Sequence, residues 1–163
     1  FEIDGFLVRL DILEKIGNTL KIIEIKAKGF DFNDDPIKSF VNSRTFKNGN
    51  PLLKKEWEEY VLDVAFQNYV VSLCHPSKNI ESYLYMLDKN SKCSVDGLHM
   101  KYLVKENYDV EILDGSVGQP IMNIIQLDNV FNMVNLFDNN FKNFNGLSFI
   151  EYINFVKDSY LKG

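Results

Sequence analysis

With 163 residues the chain is the size of one domain, and its 45% hydrophobic content excludes intrinsic disorder. A formal net charge of −5 excludes a polycationic surface that coats nucleic acid by counterion release, so any such contact has to be local. No apolar run approaches the roughly 18 residues of a membrane span, and Phe1-Glu2-Ile3-Asp4 lacks the basic and apolar regions of a signal peptide.

A soluble, cytoplasmic protein without membrane contact is therefore expected. Because the chain opens on Phe1 rather than Met, it reads as a fragment of a longer protein whose other domains are candidate partners. Cys74 and Cys93 have no CxxC spacing and too few partners for a disulfide framework, so both read as reduced structural thiols.

From Phe6 to Lys28 two extended runs, FLVRLDIL and LKIIEIKAK, flank Lys15-Ile16-Gly17-Asn18-Thr19. The pattern predicts a β-hairpin with Gly17-Asn18 at the centre of a type II′ turn. That register sets Leu10 opposite Ile25, Ile12 opposite Ile23 and Val8 opposite Ala27, an apolar face expected to form the core. The alternate face carries Asp11 opposite Glu24 and Arg9 opposite Lys26. Residues 29–50 are polar, rich in Gly, Pro, Asn and Asp, and without a sustained period, which predicts a loop or insertion.

After Pro51 a helix of about 20 residues is expected to run towards Cys74, with Glu56, Glu58 and Glu59 near its positive end and His75-Pro76 as its stop. Ile80 to Leu87 alternates as a strand, and Tyr108 to Leu113 more weakly. Residues 120–137 and 147–161 read as helices separated by FNGLS. The stripe Phe131, Val134, Leu136, Phe137, Phe141, Phe144 and Phe149 has no interleaved basic residues and is expected in the core rather than under stacked bases.

The hairpin's polar face carries the chemistry. Two carboxylates directly opposite each other repel, so Asp11 across from Glu24 calls for a positive charge between them. Mg²⁺ or Mn²⁺ fits, since either binds through one or two carboxylates plus water and phosphate. Lys26 lies on the same face, placed to donate to an attacking water or to stabilise charge on an attacked phosphate. A solvated face with Asp11 paired to Arg9 or Lys26 is the plain alternative. On the helix, Tyr60, Val64, Gln67 and Val71 share one narrow stripe, so Gln67 should point inward, towards the hairpin cluster or a loop carbonyl.

Asp11 in VRLDIL, the turn, and Glu24-Ile25-Lys26 in IIEIKAK resemble the D and ExK elements of the PD-(D/E)XK nuclease superfamily. The helix EEYVLDVAFQNYV, with Gln67, resembles the one that follows them in its RecB-like branch. The nearest pattern is a bacterial group reading RxDIL, ExKxS, DxAFQxYVL and a strand ending in a loop with Asn. These fall here at Arg9 to Leu13, Glu24 to Lys28, Asp63 to Val71 and Tyr83 to Asn90.

The resemblance implies an α/β, restriction-endonuclease-like mixed β-sheet with flanking helices. It makes 1–163 a single nuclease-like domain with its core at 5–115, an insertion at 29–50 and a C-terminal helical part at 116–163. It implies Asp11, Glu24 and the Ile25 carbonyl as ligands of Mg²⁺ or Mn²⁺, Lys26 as the group that orients or activates water, and Gln67 as an accessory active-site residue. The activity implied is metal-dependent hydrolysis of nucleic acid, DNA ahead of RNA. The alternative is a catalytically inactive member that binds nucleic acid or a partner protein. The chain departs from the pattern at Ala27-Lys28, where a small hydroxyl residue is common, and at Val71, where some branches place Tyr.

Other sites are disfavoured. Asp31-Phe32-Asn33-Asp34-Asp35 opens like an EF-hand, but Pro36 and Asn42 stand where Gly and Glu are required. His75 and His99 have no partner at zinc spacing, and nothing in the sequence activates Cys74 or Cys93 as a nucleophile.

Overall fold

The structure is a computed structural model that describes residues 1–47, 50–94, 96–113 and 121–162. In chain order its elements are β1 (Glu2–Ile3), β2 (Phe6–Leu7), β3 (Ile12–Ile16), β4 (Thr19–Phe30), α1 (Pro36–Phe40), β5 (Val41–Lys47), β6 (Asn50–Leu53) and α2 (Lys55–Cys74). There follow β7 (Asn79–Asp88), a 3₁₀ turn (Leu98–Lys101), β8 (Tyr102–Val104), β9 (Val110–Ile112), β10 (Met122–Gln126), α3 (Asp128–Met133) and α4 (Phe149–Lys162). It is a mixed α/β structure around a four-stranded sheet of order β10-β7-β4-β3.

The β3–β4 hairpin has the expected register, Ile16↔Thr19 through Ile12↔Ile23. Gly17 has φ +57°, and Asn18 is not among the positive-φ residues, as a type II′ turn requires. The ladder ends one pair before Asp11 and Glu24, which corrects the expectation that these two are cross-strand partners. Asp11 instead turns its carboxylate into the sheet edge, where Oδ2 accepts the Ile25 N–H at 2.9 Å. A short acidic side chain has here replaced a backbone acceptor, so β3 starts late and Val8 to Asp11 is irregular. Arg9, in that segment, has no ladder position opposite Lys26.

β4 and β7 are parallel neighbours from Thr19↔Asn79 to Lys26↔Met86, with a register shift between Lys26 and Gly29. A parallel pair needs a crossover, and α2 lies within it. α2 covers the face of β4 that carries Leu20, Ile22 and Glu24, all buried. Along the β3–β4 ladder the apolar face expected to be core is the outer one, with Ile12 40% exposed and Ile25 41%, whereas Val8, before the ladder, is buried as expected and Leu10 packs against its cluster. On β4 the core and the chemistry thus share one face, because Leu20 and Ile22 have the same parity as Glu24 and Lys26.

One hydrophobic cluster joins Val61, Val64, Ala65, Leu84, Met86, Ile125 and Leu127 with Phe131, Val134, Leu136 and Phe149. The phenylalanine stripe accordingly packs inside, with Phe137 and Phe144 half-buried at its edge. A second cluster holds Phe6, Val8, Leu20, Ile22, Val70 and Val71.

Two further expectations are corrected. Residues 29–50 are not a loop: they contain the end of β4, the short helix α1, all of β5 and the start of β6. Asp35 caps α1 by accepting the Ile37 N–H at 2.9 Å, and Phe40 at its end is fully buried. The stretch 120–137 is not one helix either, since Met122–Gln126 pairs antiparallel with β7 before α3 begins. Its alternating exposure, with Ile124 out and Ile125 in, is that of an edge strand covered on one side. Among the described residues no helix is long and apolar enough to cross a membrane.

Candidate active site

Where the two elements meet, four side chains form one hydrogen-bonded cluster. Glu24 and Lys26 are two residues apart on β4 and therefore on one face, and Lys26 Nζ donates to Glu24 Oε1 at 2.7 Å. From α2, Asp63 Oδ2 accepts from the same Nζ at 2.8 Å. Gln67, one turn further along α2, donates from Nε2 to Glu24 Oε2 at 2.8 Å and weakly to Asp63 Oδ1 at 3.4 Å. An acceptor on each side of that amide nitrogen settles its orientation. The inward stripe of α2 is as expected, with Val64, Gln67 and Val71 buried.

Burial favours the neutral form of Lys26, but hydrogen bonds and attraction from Asp63 and Glu24 outweigh it and hold its pKa above the ordinary lysine value. Lys26 is a permanent cation at neutral pH, able to donate hydrogen bonds and unable to accept a proton. Glu24, Asp63 and Lys26 together carry a formal charge of −1, and Asp11, hydrogen-bonded to the residue between Glu24 and Lys26, brings the total to −2.

Gln67 Oε1 is buried and has no hydrogen-bond partner among the described residues. A buried amide oxygen without a donor is costly and marks a place that suits a water or a cation. The hard oxygens of this junction are those of Glu24, which accepts from Gln67, of Asp11, which holds the Ile25 N–H, and the Ile25 carbonyl, which leaves the strand on the same side as that N–H. This set fits a divalent cation that keeps much of its hydration. It is not an all-protein cage, since among the described residues no group of three or more His, Cys, Asp or Glu side chains forms a metal site by itself.

Sequence reasoning assigned no role to Asp63, although it lies within the quoted helix motif. The signal was its i, i+4 spacing to Gln67, which puts both side chains on one helix face. Next along β4, Lys28 stands 4.0 Å from the centre of the Trp57 ring and 4.7 Å from that of Tyr60, and donates to the Glu56 carbonyl. Tyr60, on the same stripe of α2 as Gln67, thereby lies between the cluster and Lys28.

The remaining candidates are elsewhere. The His75 ring packs edge-on against Phe1, and among the described residues neither Cys74 nor Cys93 is joined in a disulfide. Asp31 accepts the Asn33 N–H and an Asn90 amide hydrogen; these hydrogen bonds lower its pKa and tie it into a turn. Comparison of the chain with family models, with curated proteins and with solved structures finds no match.

Proposed function

We propose that this domain is a metal-dependent nuclease that hydrolyses phosphodiesters, DNA ahead of RNA, at the junction of β4 and α2. The observation that carries the proposal is the cluster of Glu24, Lys26 and Gln67 beside the Asp11-held edge at Ile25. It unites every residue that the PD-(D/E)XK resemblance singles out, and with Asp63 included its formal charge of −2 suits a divalent cation. Glu24, Asp11 and the Ile25 carbonyl would hold Mg²⁺ or Mn²⁺, which supplies Lewis acidity and charge neutralisation at the scissile phosphate.

This chain's own groups would do the rest. Gln67 Oε1 accepts a hydrogen from the attacking water and aims one of its lone pairs outward. Lys26, kept protonated, donates to a phosphate oxygen as negative charge builds there, an effect that grows in a partly buried setting. Water, hydrogen-bonded to Gln67 Oε1, attacks phosphorus and gives up one proton to solvent, one ester P–O bond breaks, and the leaving oxygen takes a proton from solvent. Lys28, with hydrogens to spare beyond its bond to Glu56, would hold a neighbouring backbone phosphate.

One observation favours a second reading, a nuclease-fold domain without turnover that binds nucleic acid or a partner protein. Lys26 already places a positive charge between Glu24 and Asp63, as a silent site would need. Cleavage of labelled single- and double-stranded DNA and RNA, with Mn²⁺ and with EDTA, decides between them. Metal-dependent cleavage that disappears in Lys26→Met supports the nuclease. Binding of the labelled strands with neither cleavage nor a Mn²⁺ shift in melting temperature supports the silent domain, and the absence of cleavage, binding and shift together overturns both accounts.

A further inference from the structure

We propose that Asp63 is the positioning residue for Lys26, holding its ammonium from the helix side so that Glu24 keeps oxygen lone pairs for a cation; this rests on the nuclease reading above. Lys26 Nζ lies between two carboxylates at nearly equal distances, 2.7 Å to Glu24 and 2.8 Å to Asp63. The two partners differ in kind. Glu24 and Lys26 are neighbours on one strand face, so their contact needs no tertiary structure. Asp63 arrives from another element, 37 residues away, and is what fixes Nζ relative to the helix and to Gln67.

An ammonium has donors only, and left with one anion it settles there. Without Asp63, Lys26 would have Glu24 as its sole charged partner and would compete with a cation for the same oxygens. With Asp63 present its charge is shared, and each Glu24 oxygen, bonded once to Lys26 or Gln67, retains a second lone pair. Burial separates the roles further: the Glu24 side chain is 10% exposed and that of Asp63 41%. Asp63 can therefore counter the Lys26 charge from the solvent side at little desolvation cost, while Glu24 stays inside the site.

The test is a double-mutant cycle read by Mn²⁺ titration. Parent, Asp63→Asn, Lys26→Met and the double variant are melted over a Mn²⁺ series, with circular dichroism confirming that each folds. Positioning through Lys26 predicts that Asp63→Asn raises the half-saturating Mn²⁺ concentration about tenfold in the parent background, the size expected of coupled neighbours. In the Lys26→Met background the same substitution should change it by less than about twofold, within the additivity expected of uncoupled sites. Asp63→Glu, which can still reach Nζ, should recover most of the metal response, and in cleavage assays Asp63→Asn should lower kcat with KM little changed.

An equal Mn²⁺ loss in both backgrounds would show Asp63 acting on the metal directly and would overturn the proposal. A parent-like response of Asp63→Asn would do the same while leaving the nuclease reading intact. A parent that shows no Mn²⁺ response at all would remove the metal reading, and this role with it.

Discussion

Replacing Glu24 by Gln in the absence of metal should destabilise the fold. The hairpin sequence alone suggests the reverse, since removing one of two facing carboxylates relieves repulsion. In the structure Asp11 is not a ladder partner of Glu24, and Glu24 is buried, 8% exposed as a residue, with its carboxylate bonded to Lys26 and Gln67. Breaking a buried ion pair costs about 3–5 kcal/mol when the remaining charge is orphaned. Here Lys26 keeps Asp63 at 2.8 Å, and the new amide oxygen can still accept one hydrogen bond.

What remains is the loss of a charge-assisted bond in exchange for a neutral one, about 1–2 kcal/mol. For a chain of this size that corresponds to a fall in Tm of about 2–8 °C. The assay is thermal melting in EDTA at neutral pH, with Asp11→Asn as a comparison that should change little, because Asp11 is exposed and an amide oxygen can still accept the Ile25 N–H. An unchanged or raised Tm for Glu24→Gln would mean that Lys26 does not bridge the carboxylates, and the site geometry argued here would be wrong.

Three further outcomes are expected. Phe40→Ala should cost about 3–5 kcal/mol in a denaturant melt, because Phe40 is fully buried between Phe30 and Trp57; a loss below about 1 kcal/mol would return residues 29–50 to the status of a surface insertion. Ser148→Ala should cost about 1 kcal/mol, since Ser148 Oγ accepts the Glu151 N–H while Glu151 accepts the Ser148 N–H, a reciprocal cap at the start of α4. Hydrogen bonds from Lys142 and Ser148 lower the Glu151 pKa below 4.5, so its contribution is complete above that pH and is lost as pH falls through the folded-state value. Melts of Glu151→Gln should lack this acid-side loss, and the same loss in parent and variant would refute the assignment.

The hairpin and α2 were legible because each is a local code. Gly17-Asn18 sets a register that holds from Ile16↔Thr19 to Ile12↔Ile23, and a helical stripe places Gln67 inward wherever the helix packs. The choice of buried face was not legible. Ile23, Ile25 and Ala27 form an unbroken apolar set, whereas Leu20 and Ile22 share their face with Glu24 and Lys26, and alternation alone prefers the former. The helix decides otherwise because it brings Asp63 and Gln67 to satisfy the charged residues, a compensation distant in sequence. Met122–Gln126 was missed because five residues of strand run into α3 with no Gly or Pro between them, and the combined stretch mimics one apolar helix.

The segment that seemed least informative supports the site. The Phe40 ring stacks on Phe30 at the end of β4, with centroids 5.3 Å apart, and meets Trp57 in the first turns of α2 at 5.1 Å. Phe30 and Trp57 also touch each other, so three rings clamp the end of β4 against the start of α2. Glu24 and Lys26 lie further back along the strand, and Asp63 and Gln67 further along the helix. The angle at which these elements diverge from the clamp therefore determines whether Nζ of Lys26 can touch both carboxylates. Core packing that holds functional groups within a fraction of an ångström is what preorganised sites require. On this basis Phe30 and Phe40, from the stretch expected to be a loop, are part of the packing that sets the cluster's geometry, although neither enters the cluster.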